Sequence, residues 1–155
     1  MLRLASAALA LLLLALPATV ALAQDSSPME VQVVGLKAAG GSATSGWAWV
    51  IPEMGQMIVT TLVTGLAPGS GHSNHIHRGS CETPGGIAYP LTDLTANADG
   101  VATATTMVKM EMGMMMGAGP HYVNIHAGIL GSGPTAGAGI TCGNIGEMMM
   151  MPGGM

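Results

Sequence analysis

Apolar and polar residues alternate in short runs along most of this chain, and glycine, proline and small polar residues separate the runs. Alternation with a period of two marks half-buried strands, because successive side chains leave opposite faces of an extended backbone. The pattern predicts strands over Met29 to Leu36, Gly46 to Ile51, Met57 to Leu66, Asn74 to His77, Ile87 to Leu94, Val101 to Val108, His121 to His126 and Gly139 to Ile145. Between them lie turn signals: Pro52, APGSG at 67–71, TPGG at 83–86, NADG at 97–100 and GSGP at 131–134. No fixed-period repeat is present, and no helical period competes after the first residues. About eight short strands at this spacing predict an all-β domain, an antiparallel sandwich or flattened barrel.

The first residues are of a different kind. Arg3 precedes an apolar run from Leu4 to Leu16, and Ala21-Leu22-Ala23 has the small-residue pattern of a cleavage site. Residues 1–23 are therefore expected to be a signal peptide that is removed on export. The run is too short for a spanning helix and ends at Pro17, so no membrane association is expected after cleavage. No cysteine follows the site to carry a lipid. Residues 24–28 are a flexible lead-in, and about 130 residues remain, enough for one core and short for two domains. The β domain is expected over 29–146, with a methionine-rich tail at 147–155.

Charge narrows the partners. Without Arg3 the basic residues are Lys37, Arg78 and Lys109 against eight acidic ones, a net charge of about −5. Such a surface disfavours nucleic acid and anionic membranes. Serine-nucleophile and phosphate-loop signatures are absent.

The candidate chemistry is concentrated in HSNHIHRGSC, residues 72–81. On a strand His75 and His77 share one face while Ile76 takes the other. In HYVNIHAG the same phase turns Val123 and Ile125 inward and leaves Tyr122, Asn124 and His126 on the opposite face. If these strands are neighbours, His75, His77 and His126 converge, and three neutral imidazoles suit copper(II) or zinc. The plainer alternative is three unrelated histidines on exposed strands. His72 lies on the opposite phase and is expected to support a ligand by hydrogen bonding. His121 faces away and is expected to be structural or solvent-exposed.

Cys81 and Cys142 are the only cysteines, and in an exported chain a disulfide is the economical expectation. There are 15 methionines and no phenylalanine. Met29, Met54 and Met57 are expected as core filler. Met110, Met112 and Met114 alternate within MVKMEMGMMMG (107–117), and GEMMMMPGGM ends the chain. Their thioethers suit copper(I), which prefers soft donors; the alternative is disordered low-complexity sequence.

GLAPGSGHSNHIH (65–77) resembles the stretch of copper-zinc superoxide dismutases that carries a supporting histidine and then an HxH pair of copper ligands. YVNIHAG (122–128) resembles the later strand that supplies another copper histidine, and GITCGNIG (139–146) the terminal strand with the disulfide cysteine. HIHRG and HYVNIHAG are also similar to the related chordin-type CHRD domain. The resemblance covers most of the chain after residue 23. It implies a superoxide-dismutase-like Greek-key fold and one copper ion on His75, His77 and His126. It further implies His72 in support and a Cys81–Cys142 bridge.

The departures from the dismutase pattern are equally specific. No histidine lies between Cys81 and His121, so the bridging histidine, the zinc ligands and the fourth copper ligand have no counterparts, and zinc of that kind is not expected. The place of the family's active-site arginine is Gly139. Without that cation an anion such as superoxide loses its guide to the metal. The sequence therefore favours an exported copper-binding protein, with a copper-only superoxide dismutase and a metal-free CHRD-like binding module as alternatives.

Overall fold

In the structure, a computed structural model, residues 31–53, 55–109, 119–131, 133 and 137–146 are described. The expected signal peptide at 1–23, the lead-in at 24–28, Met29, Met54, Met110, Met112, Met114 and the tail at 147–155 lie outside the described residues.

The described residues form ten strands and no helix: β1 (Gln32–Ala38), β2 (Ser45–Glu53), β3 (Gln56–Thr64), β4 (Gly71–His72), β5 (Asn74–Gly79), β6 (Pro84–Pro90), β7 (Leu94–Thr95), β8 (Ala102–Lys109), β9 (His121–His126) and β10 (Gly139–Ile145). Eight of them make one antiparallel sheet in the order β6-β5-β9-β10-β1-β2-β3-β8, curled into a half-barrel, and β4 pairs with β7. The curl turns at β1. Its Gln32–Leu36 stretch pairs with β2, while Lys37 and Ala38 pair with β10.

Period-two burial explains why the sheet curls around one interior. In β3 the side chains of Met57, Val59, Thr61 and Val63 are buried and their neighbours are half-exposed. Val34 and Leu36 of β1, Ala48 and Val50 of β2, Ile76 of β5, and Val123 and Ile125 of β9 face the same interior. Met57 is a core residue, as its place in the pattern predicts.

The expected strand from Ile87 to Leu94 is divided into β6 and β7. Proline at position 90 offers no N–H to a ladder, and the chain turns inward there: the Leu91 amide donates to the Asn74 carbonyl at 3.0 Å. At the end of β5, Gly79 has φ +93°, and a β-carbon there would lie 2.3 Å from the Thr83 carbonyl oxygen. Only glycine permits that close return of the chain into β6.

Candidate metal centre

β5 and β9 are neighbours in the sheet, with His75 opposite Asn124, Ile76 opposite Val123 and His77 opposite Tyr122. This pairing fixes the faces. Ile76, Val123 and Ile125 enter the core, and His75, His77, Tyr122, Asn124 and His126 share the other side. His126 stands two positions beyond Asn124, diagonal to His75, a separation that imidazoles span. The phase expected from the sequence holds, but the outward exposure does not: His75, His77 and His126 are only 7 %, 8 % and 5 % exposed. The face is covered by chain from β6 and from the segment before β10, whose carbonyls meet the rings.

The ring nitrogens define the chemistry. His77 donates Nδ1–H to the Gly85 carbonyl at 3.0 Å, and His126 donates Nδ1–H to the Gly137 carbonyl at 2.8 Å. A carbonyl only accepts, so each neutral ring keeps its proton on Nδ1 and presents a bare lone pair at Nε2. Those two Nε2 atoms are 3.3 Å apart. Two lone pairs at that distance attract only when a cation or a proton lies between them. The third ring adds another unmet donor, because Nδ1 of His75 is buried without a hydrogen-bond partner among the described residues. One ligand atom from each of the three residues falls within 4.8 Å of the others. A buried orphan nitrogen beside two opposed lone pairs is an arrangement that could hold a metal ion.

The surroundings of His75 and His126 favour the neutral ring. Burial lowers the pKa of His75 below its ordinary value, and His126 and His77 lower it further, against a smaller upward pull from Asp93. His126 is lowered by burial and by His77, with the Gly137 hydrogen bond acting in the other direction. Neutral imidazole is the form that binds metal.

His72 does not join the cluster. Its Nδ1–H donates to the His126 carbonyl at 2.8 Å, and its Nε2 pairs with the Ser70 hydroxyl at 2.7 Å, so the ring clamps the backbone that carries His126. His121 points away from the cluster, as expected, but it is buried rather than solvent-exposed: Nδ1–H donates to the Gly119 carbonyl at 3.1 Å. Arg78 is exposed and donates to the Ile87 carbonyl at 3.3 Å. Cys81 and Cys142 form a disulfide with Cα atoms 5.9 Å apart. It ties the turn after β5 to β10, and the Cys81 amide donates to Oδ1 of Asn144 at 2.8 Å.

Sequence reasoning assigned no part to Tyr122 and Asn124. Tyr122 stacks on His77, ring centroids 5.1 Å apart, and Asn124 brings its amide nitrogen to 3.5 Å from Nε2 of His126. The spacing of Asn124 and His126 on one strand face was the available signal. Compared with known families, the chain matches the family model of the CHRD domain over residues 19–129, a span that includes the three clustered histidines. No curated protein matches it.

Proposed function

The chain belongs to the CHRD domain family, and we propose that this member is an exported copper-binding protein whose single copper ion is held by His75, His77 and His126. The observation that carries the proposal is the convergence of three buried histidines, two with bare Nε2 lone pairs and the third with an unpartnered Nδ1. Each covering carbonyl locks a ring and its tautomer, so the donors are arranged before metal arrives. Copper bound there would supply a centre able to exchange one electron between its two oxidation states. The Cys81–Cys142 disulfide fits an oxidising compartment and supports export.

Two features favour binding over turnover of superoxide. The rings are at most 8 % exposed. The place of the dismutase active-site arginine is also without a cation, because position 139 is glycine. Met110, Met112, Met114 and the methionines of the 147–155 tail would form a separate, softer store for copper(I).

The test uses the purified exported protein, loaded with copper or zinc, beside His75→Ala and His126→Ala. One copper per chain, nitrogen coupling in electron paramagnetic resonance and loss of both in each variant are expected. Superoxide consumption no faster than free copper is expected as well. Turnover well above free copper would make the protein an enzyme, and zinc outcompeting copper would replace the metal. Copper binding indifferent to the histidines would leave a CHRD module without this centre. Truncation after Gly146 is expected to spare the histidine centre and lower copper(I) capacity.

A further inference from the structure

Three imidazoles would leave a four-coordinate copper centre one donor short, and Asn124 lies beside the cluster. It lies directly opposite His75 across the β5–β9 ladder. It also shares a face of β9 with His126, two residues on, and is 8 % exposed. Its amide nitrogen is 3.5 Å from Nε2 of His126. Because the Gly137 carbonyl holds the Nδ1 proton, that Nε2 offers a lone pair to the amide N–H.

Space for the amide comes from the neighbouring strand. Gly139 pairs with His126, and a β-carbon on it would stand 2.8 Å from Oδ1 of Asn124, 3.2 Å from Nδ2 and 3.4 Å from Cγ. Any side chain at 139 would drive the amide from its place. The glycine that removes a cation from this region therefore admits a neutral oxygen donor instead.

We propose that Asn124 is the fourth donor of the centre through its amide oxygen, and that it biases the centre toward copper(II); this rests on the three-histidine copper assignment. A carboxamide carries a donor end and an acceptor end on one pivot. In the metal-free protein the N–H end meets the lone pair of His126. A cation on that lone pair repels the N–H end and attracts the oxygen, and a half-turn about the last side-chain bond exchanges the two. Copper(II) favours four nitrogen and oxygen donors in a tetragonal arrangement, whereas copper(I) is softer and gains little from an amide oxygen. Loss of the oxygen should therefore weaken one oxidation state and spare the other.

The experiment compares the exported protein with Asn124→Leu, Asn124→Asp and Gly139→Ala, measuring copper(II) affinity, copper(I) affinity against a cuprous chelator, and reduction potential. Asn124→Leu is expected to lose about tenfold in copper(II) affinity with copper(I) affinity unchanged, which raises the potential by about 59 mV. Asn124→Asp, which keeps an oxygen and adds charge, shifts the potential the opposite way. Gly139→Ala displaces the amide without removing it and shifts the potential in the direction of Asn124→Leu, so the outcome does not hang on one variant folding. Equal losses in both oxidation states, or an unmoved potential and resonance spectrum in all three, would reduce Asn124 to packing and overturn the proposal. Histidine-dependent copper in that case leaves the copper centre standing. A wild-type protein that binds no copper, or binds it without the histidines, overturns both.

Discussion

His75 and His126 are held in a place that penalises their charged forms, and this makes the fold sensitive to pH. Both pKa values lie below the ordinary histidine value of 6.5 in the folded protein. As pH falls through 6.5 the unfolded chain takes up protons first, so stability is complete above that pH and declines from there toward the folded values. Thermal melts of the metal-free protein are expected to fall over that window, and a His75→Ala/His126→Ala variant to fall less steeply. Protons and metal compete for the same nitrogens, so copper release is expected to set in at lower pH, as the lowered folded-state values are approached. Which histidines share a strand face was legible from phase; that the two strands are neighbours, so that the histidines converge, is what the fold adds. Their burial was not legible: the covering carbonyls of Gly85 and Gly137 come from β6 and from the segment before β10, 8 and 11 residues away, and a backbone oxygen leaves no mark in a side-chain pattern.

β5 carries two of the three histidines, and its phase decides which way they point. A one-residue slip against β9 would send His75 and His77 into the core. Part of what pins the phase is polar. Asn74, 1 % exposed, turns inward from β5 and donates its amide N–H to the Thr61 hydroxyl of β3 at 3.2 Å and to the Thr92 carbonyl at 3.4 Å. Its oxygen is buried without a partner among the described residues, so the link across the interior has little to spare. Thr61→Val keeps the shape and removes one acceptor. A loss of about 1–3 kcal/mol in urea unfolding is expected, with weaker copper binding as β5 loosens; an unchanged midpoint would show that the ladder alone sets the register. The alternation at Met57 to Leu66 made β3 readable, and Pro90 was the one sequence sign that Ile87 to Leu94 does not run through. The Asn74–Thr61 bond joins residues 13 apart across the core, a contact that no local period encodes.

At the scale of the molecule the half-barrel has two edges left open among the described residues, β6 and β8, and the three-histidine cluster lies near the first of them. The carbonyl that locks His77 belongs to Gly85 on that edge strand, which among the described residues pairs on one side only. The turn leading into β6 is held by the Cys81–Cys142 bridge, which reaches over to β10, and by the Glu82 carboxylate accepting from Nδ2 of Asn144 at 3.2 Å. Closing a loop of 61 residues stabilises the fold by about 4 kcal/mol through loop-closure entropy. Reduction should therefore do two things: lower global stability by about that amount, and let the β5–β6 turn move, freeing the Gly85 carbonyl from His77 and the ring from its tautomer. Denaturant unfolding of a Cys81→Ala/Cys142→Ala variant measures the first. Stopped-flow transfer of copper to a chelator measures the second, and faster release from the variant than from the oxidised protein is expected. Equal release rates with lowered stability would mean that the centre is organised by β5 and β9 alone. Faster release would make the disulfide a condition for keeping the proposed metal, which joins the cysteines, 61 residues apart in sequence, to the three histidines in one physical requirement.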